Sequence, residues 1–304
     1  MVRAEMTSRL QLYLGLARAS NLPTVWTNAL AAWALMGRTI EPIPLLLICL
    51  AGSLLYAGGC TLNDAFDAAW DRERRPERPI PSGALSEREV WIVGSVELIG
   101  GLAILASFGM RTLGSGALVV LAILLYDWLH KKTAWSVLLM GWCRLQWVLT
   151  AATTAVVKTE RIDEETWNPP LIYGSILLAY IVYVSLMARR ESLTTPETKT
   201  KSATISNGIS IALFAALGWL LCALLLGTFV PLIPVTALAI WFLLAKNIMD
   251  RGGRPKIGIF VSRALAGIVL LDTAFACLSW QWWGLCLAGF LPVCLLLQRR
   301  IAAT

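Results

Sequence analysis

The 304-residue chain contains a single histidine, His130, which excludes a histidine-rich metal centre. Charged residues make up only 15% of the chain, against roughly a quarter in soluble domains, too few to cover a water-soluble fold of this size. Its seven cysteines, Cys49, Cys60, Cys143, Cys222, Cys277, Cys286 and Cys294, fall inside apolar runs without paired metal-ligand spacing and read as small packing residues. There is no internal repeat, no low-complexity tract and no polar stretch long enough to fold separately. The first 18 residues carry Arg3, Arg9 and Arg18 but no small-residue cleavage site behind a short apolar core, so the expectation is entry through the first spanning helix and no removed signal peptide.

Apolar sequence is abundant: 57% of residues are hydrophobic and the mean hydropathy is +0.67. A spanning helix needs about 20 mostly apolar residues and satisfies its own backbone hydrogen bonds in lipid. The predicted fold class is therefore all-α, a polytopic transmembrane helical bundle of nine or ten spans around a central cavity, forming one domain over residues 1–304. The expected spans are 20–37, 43–65, 90–109, 113–128, 134–156, 170–188, 208–229, 232–248, 262–280 and 282–297. Ten applies if the last segment crosses, nine if it lies along the surface.

The formal net charge is +7, but the 26 Lys and Arg residues are spread over short connections, which argues against nucleic acid as a partner. With a cytoplasmic N-terminus the basic clusters share one side: Arg72 to Arg88, Lys131 and Lys132, Arg189 to Lys201, Arg251 to Lys256, and Arg299 with Arg300. The other side receives Arg38, Arg111, Lys158 and Arg161 beside Glu160, Asp163, Glu164 and Glu165. The expected location is an integral position in a bacterial inner membrane, with the N-terminus and the functional loops cytoplasmic. Most of the fourteen tryptophans stand near expected span ends, where an amphipathic ring suits the interface.

The most informative segment runs from Leu62 to Asp71, where the second expected span reaches the cytoplasmic interface. Asn63, Asp67 and Asp71 stand at successive i,i+4 positions, and Asp64 is three residues from Asp67, so one helical face carries them all. Carboxylates that close repel unless cations intervene. Asp and Asn oxygens suit Mg²⁺, which keeps several waters and completes its octahedron with substrate phosphate oxygens. Arg72, Arg74, Arg75 and Arg78 follow directly, and a guanidinium fork matches phosphate, so acids holding Mg²⁺ beside arginines form a diphosphate clamp. The plainer alternative makes the arginines positive-inside anchors and the acids a solvated helix end.

Asn63-Asp64-x-x-Asp67-x-x-x-Asp71, followed by Arg78-Pro79 and Ser82-Gly83, resembles the first aspartate-rich motif of the UbiA family of intramembrane aromatic prenyltransferases. Arg18 to Thr24 is similar to that family's opening pattern. The resemblance implies Mg²⁺ and the diphosphate of an isoprenyl donor bound at Asn63, Asp64, Asp67 and Asp71, inside a helical bundle open to lipid. Tyr126 with Lys131 and Lys132 resembles the family's tyrosine and basic pair that help hold diphosphate, although Asp127 stands where proline is common. The family's second acidic motif should follow the sixth span, where this chain has Arg189-Arg190-Glu191-Ser192; Glu191 supplies one carboxylate and the expected paired aspartates are absent. The runs Leu125 to Lys131 and Met140 to Arg144 look like the branch encoded in ebo-type operons, which implies a small acceptor, aromatic or sugar- or cyclitol-like, the latter in place of a quinone precursor.

Two charges lie deep in apolar runs, Arg144 and Asp272, and each is costly in lipid without a partner or a wet cavity. Either they pair structurally, or Arg144 faces substrate, with Asn21 and Asn28 lining the same cavity. The expected reaction is isoprenyl transfer from an allylic diphosphate, with Asp67, Asp71, Tyr126 and Lys131 in the catalytic set, and Asn21, Asn28, Asn63, Arg72, Arg75, Arg78, Lys132, Arg144 and Arg190 binding substrate. Competing readings are a cyclase or a phosphoribosyl-type transferase using the same clamp, and a transporter or lipid-binding protein.

Overall fold

The computed structural model describes residues 9–156, 164–193, 228–250 and 257–301, and every regular element among them is helical. In chain order these are α1 (Arg9–Leu16), a 3₁₀ turn (Ala19–Asn21), α2 (Leu22–Leu35), α3 (Pro42–Phe66), α4 (Ala68–Arg74), α5 (Glu87–Ala106), α6 (Met110–Leu129), α7 (Ser136–Thr154), α8 (Asn168–Leu193), α9 (Leu232–Asp250), α10 (Ile257–Trp280), a 3₁₀ segment (Gln281–Gly289) and α11 (Phe290–Gln298). Pro23 in the first turn of α2 and Pro42 and Pro44 opening α3 occupy positions where a missing N–H costs nothing. Ser86 caps α5, its hydroxyl accepting from the Glu89 backbone N–H at 3.2 Å.

Small residues set the closest helix approaches. A Cβ on Gly58 would stand 2.9 Å from the Gly94 carbonyl oxygen, and one on Gly94 would stand 2.7 Å from Leu62, so α3 and α5 meet almost backbone to backbone. Gly52 leaves the space taken by the Trp147 ring of α7, and Gly141 does the same for Leu178 of α8. Helix α10 runs through the middle of the molecule: its residues from Ala266 to Cys277 are all buried. The chain turns back after it at Gln281, whose φ is +52°, and Gly284 then sits against the last turn of α10, where a Cβ would meet the Cys277 backbone nitrogen at 2.6 Å. Farther along α11, Gln298 donates to the Ser262 carbonyl at 3.1 Å.

The expectation of nine or ten spans is overturned. Among the described residues five helical stretches are long and apolar enough to cross a membrane: Pro42–Phe66, Glu87–Ala106, Met110–Leu129, Asn168–Arg189 and Ile257–Gln298. The first expected span is a helix of only 14 residues, about 21 Å long and short of the roughly 30 Å hydrocarbon layer. The segment expected at 134–156 forms α7, but Arg144, Gln146 and a run of threonines lower its hydropathy, and most of the helix is buried in protein. Leu232–Ile248 is a shorter apolar helix, and the last two expected spans fall within a single 42-residue apolar stretch, Ile257–Gln298, which folds back on itself at Gln281. The span expected at 208–229 falls almost entirely outside the described residues. Hydropathy registered burial in protein as though it were burial in lipid. The protein is nonetheless an integral membrane protein with several spanning helices.

The α3–α5 contact yields a packing prediction. Gly58→Val places a side chain against the Gly94 carbonyl and should cost about 1–3 kcal/mol through overpacking. Gly114→Ala, where nothing lies within 4 Å, should leave stability unchanged or slightly raised. Thermal unfolding in detergent checks this; equal midpoints for the two variants would contradict the packing account.

Candidate active site

The acidic row forms where α3 hands over to α4. Asp67 joins the two helices, yet the ladder runs through it: Asp67 N–H bonds to Asn63 O at 3.0 Å, Asp71 N–H to Asp67 O at 2.8 Å, and Arg75 N–H to Asp71 O at 2.7 Å. The i,i+4 spacing therefore survives, and Asn63, Asp64, Asp67 and Asp71 are all buried. Each acid has been given a cation. Arg78 Nη1 donates to Asp64 Oδ1 at 2.9 Å and lies 3.7 Å from Asp71 Oδ2. Lys131 Nζ lies 3.1 Å from Asp67 Oδ2, and His130 Nε2 lies 3.1 Å from Asp67 Oδ1. Asp71 Oδ1 is buried with no hydrogen-bond partner.

Two turns deliver these cations. Arg78 leads the loop to α5, which closes through Ser82 N–H to Arg78 O and Leu85 N–H to Pro79 O, with Gly83 at φ +78°. Ile80 and Leu85 pin that loop into a core with Leu16, Ala65 and Ala68, so apolar packing fixes where the guanidinium stands. On the other side, His130 and Lys131 follow α6. Arg189 from the end of α8 donates to the His130, Thr133 and Ala134 carbonyls at 3.1–3.2 Å and to Ser136 Oγ, which ties the α6–α7 turn. Lys131 Nζ also stands 4.0 Å over the Trp70 ring, linking this turn to α4.

Beneath the row lies a cavity of about 680 Å³, counting its open mouth, between α2, α3, α6 and α7. Arg18, Asn63, Tyr126 and Asp127 line it near the acids, and Leu55, Val119, Ile123 and Trp147 give it apolar walls. Asn63 Nδ2 donates to Asp127 Oδ1 at 3.0 Å, while Asp127 Oδ2 is buried and unpartnered. Tyr126 stacks on His130 at 5.2 Å. Deeper, Arg144 Nη1 donates to Asn28 Oδ1 at 2.8 Å and Nη2 to Thr24 Oγ1 at 3.1 Å. Asn28 Nδ2 in turn donates to Asp272 Oδ2 at 2.9 Å, and Thr27 and Tyr173 complete that carboxylate's shell at 2.5 and 2.7 Å. Arg144 and Asp272 are thus joined through one amide, without direct contact.

The expected site residues separate into three groups. Asn63, Asp64, Asp67, Asp71, Arg78, Lys131 and Tyr126 gather at the mouth. Asn28 and Arg144 belong to the deeper network, and Asn21 donates to Tyr56 OH at 3.2 Å on the cavity wall. Arg72, Arg75 and Lys132 turn elsewhere: Arg72 pairs with Glu87 at 2.5 Å, Arg75 lies 5.6 Å from the Trp70 ring, and Lys132 lies 4.3 Å over Trp128. The side chains of Arg190 and Glu191 lie outside the described residues. Asp127 was noticed only as a departure from a proline, although an ionisable residue at the end of an apolar run is itself a signal. His130, the chain's single histidine, bonds through Nε2 to the central acid, Asp67. Among the described residues no three His, Cys, Asp or Glu side chains form a ready-made metal cage.

The acid row with its paired cations thus stands over an apolar chamber walled by helices. Residues 22–260 match the UbiA prenyltransferase family, and the chain belongs to that family. It is 34% identical over 104 residues to a digeranylgeranylglyceryl phosphate synthase of Thermococcus gammatolerans, covering 34% of this chain and 38% of that protein. It is 29% identical over 196 residues to a 4-hydroxybenzoate octaprenyltransferase of Acidovorax ebreus, covering 61% of this chain and 65% of the relative, so the chain spans less than two thirds of either. In fold it is similar to a UbiA homolog from Aeropyrum pernix K1, with a TM-score of 0.67 at 17% identity over 83% of this chain and 96% of that one. It is also similar to a UbiA homolog from Archaeoglobus fulgidus bound to GPP and Mg²⁺, with a TM-score of 0.53 at 14% identity over 91% and 99%.

The acids at the mouth differ in proton affinity. Burial pushes the Asp67 carboxyl up, but the hydrogen bond and charge of His130, aided by Lys131, outweigh it and hold Asp67 below the usual carboxylate range. Burial also pushes Asp71 up, and there the pull of Arg78 does not cancel it, with Asp67 adding repulsion. Asp67 therefore contributes stability that is present above its unfolded value and lost as pH falls through its lower folded value; Asp71 has the opposite sign. On acidification Asp71 should protonate before Asp67, with His130→Ala shifting Asp67 upward. Carbon-13 NMR of aspartate-labelled protein, assigned with Asp67→Asn and Asp71→Asn, reads the order, and a reversed order contradicts the pairing.

Proposed function

We propose that this protein transfers an isoprenyl group from an allylic diphosphate to a small acceptor inside the membrane, in a Mg²⁺-dependent reaction that releases diphosphate. Family membership supports this reading, and one observation carries it: a buried acid row whose Asp71 Oδ1 lacks any partner, at the mouth of an apolar chamber. The donor set fits the ion. It is made of hard oxygens, and Mg²⁺ takes one or two carboxylates with substrate phosphates and waters, so a three-acid cage is not required. Asp64, Asp67 and Asp71, with the Asn63 carbonyl oxygen and Glu191, would hold it. When bound, Mg²⁺ supplies neutralisation for the charge that grows on diphosphate as the carbon–oxygen bond breaks.

The chain's own side chains do the rest. Arg78 and Lys131 would exchange their carboxylate partners for diphosphate oxygens and share the charge of the leaving group. Tyr126, held against His130, would bound the reacting end of the donor. Arg72, Arg75, Lys132 and Arg190 would add an outer field that draws the anionic donor to the mouth. The apolar walls would contain the isoprenoid tail and keep water from the carbocation-like carbon.

The whole chain would act as one domain, and nucleic acid has no part in this reading. The basic clusters support a bacterial inner membrane location with the N-terminus and this mouth cytoplasmic. Asp127 in place of proline, and the run from Met140 to Arg144, support the ebo-type branch and a small acceptor that is aromatic or sugar- or cyclitol-like.

Purified protein given allylic diphosphates of several lengths with a cell extract should release diphosphate and yield a prenylated product. Asp67→Asn with Asp71→Asn, or chelation of divalent ions, should reduce release at least about a hundredfold. Undiminished release in the double variant would sink the proposal, and a cyclic product formed without acceptor would replace transfer by cyclisation.

A further inference from the structure

Helices α3 and α6 approach closely at Gly59, where a Cβ would stand 2.9 Å from the Ile123 side chain. One turn further along each helix come Asn63 and Asp127, so the contact that this glycine permits sets the register of the polar pair beyond it. Asn63 Nδ2 donates to Asp127 Oδ1 at 3.0 Å, and both side chains are buried beside the cavity. Asp127 Oδ2 has no hydrogen-bond partner. A buried carboxylate with one oxygen unsatisfied is costly to the bundle, which draws attention to the one bond that its side chain does make.

That bond decides which end of the Asn63 amide is turned away from Asp127. A carboxylate oxygen accepts and an amide nitrogen donates, so Nδ2 belongs toward Asp127 and Oδ1 away from it. Without Asp127 the preference would reverse. Asp64 and Asp67 share a helical face with Asn63, and their oxygens would draw the amide nitrogen toward the row and carry the carbonyl oxygen off it. The competition favours Asp127, because Asp64 is engaged by Arg78 and Asp67 by His130 and Lys131. Among the described residues the Asp127 carboxylate has no hydrogen bond except the one from this amide. We propose that Asp127 is a positioning residue, which holds the Asn63 amide with its carbonyl oxygen toward the acid row and so makes an asparagine serve as an oxygen ligand of the metal. Resting on the transferase reading, this inference adds to the site a residue that acts only through its neighbour. Its role lies in an acceptor oxygen at that place, not in a further negative charge.

The test measures metal affinity without turnover. The full chain in lipid nanodiscs, with geranyl diphosphate present, is titrated with Mn²⁺, and the electron paramagnetic resonance signal of the free ion reports binding. Asp127→Leu should weaken Mn²⁺ binding at least about tenfold, the loss typical when a metal ligand is deprived of its outer partner. Asp127→Asn, which removes the charge but keeps an acceptor oxygen, should stay within about threefold of the native protein. In an Asn63→Ala background, where there is no amide to hold, Asp127→Leu should change nothing further. If Asp127→Leu does not fold, judged by thermal unfolding, Asp127→Ala takes its place in both backgrounds. Unchanged affinity in Asp127→Leu, an equal loss in Asp127→Asn, or an undiminished loss in the Asn63→Ala background overturns the proposal and leaves the transferase reading standing. Failure of the native protein to bind Mn²⁺ with geranyl diphosphate overturns that reading and this inference with it.

Discussion

Carboxylates on one helical face, buried where α3 meets α4, repel one another strongly unless positive charge is brought to them. The neighbouring structure answers this requirement. The loop after α4 is packed down by Ile80 and Leu85 so that Arg78 meets Asp64 and approaches Asp71. The turn after α6 is tied by Arg189 so that His130 and Lys131 meet Asp67. Removing Arg78 or Lys131 would leave a buried acid without its cation, which is far costlier than losing a surface ion pair. The compensation is incomplete at one atom, Asp71 Oδ1, and a bound cation would satisfy that acceptor.

The same economy of charge recurs inside the bundle. Arg144 and Asp272 would each be prohibitive alone in an apolar interior, and Asn28 serves both, accepting from one and donating to the other. Between the two polar centres the cavity is walled by Leu55, Val119, Ile123 and Trp147, with Gly52 making room for the tryptophan ring. A polar mouth, a greasy middle and a buried cation beyond it suit the proposed reaction between an anionic lipid-like donor and a second, smaller molecule. Water held off by those walls cannot intercept the activated carbon.

Much of this was legible in the sequence because helical periodicity is local. Asn63, Asp67 and Asp71 stayed in line since the hydrogen-bond ladder continues through the junction at Asp67. The deep charges Arg144 and Asp272 announced themselves by their cost in an apolar run. What failed was non-local. The span count failed in part because a largely buried helix such as α7 is apolar for reasons of protein packing. Arg72, Arg75 and Lys132 were grouped with the clamp by proximity in sequence, yet long flexible side chains take whichever partner is nearest, here Glu87, Trp70 and Trp128. The Asp127–Asn63 bond joins residues 64 positions apart, and no periodicity within one helix contains it.

The central claim is that the acid row acquires its metal together with diphosphate, because its own cations occupy it beforehand. Electron paramagnetic resonance of Mn²⁺ added to the purified protein tests this directly. The account predicts weak Mn²⁺ binding alone, tight binding once geranyl diphosphate is present, and loss of that tight binding in Asp67→Asn with Asp71→Asn. Tight Mn²⁺ binding without diphosphate, or diphosphate-dependent binding that persists in the double variant, would contradict it.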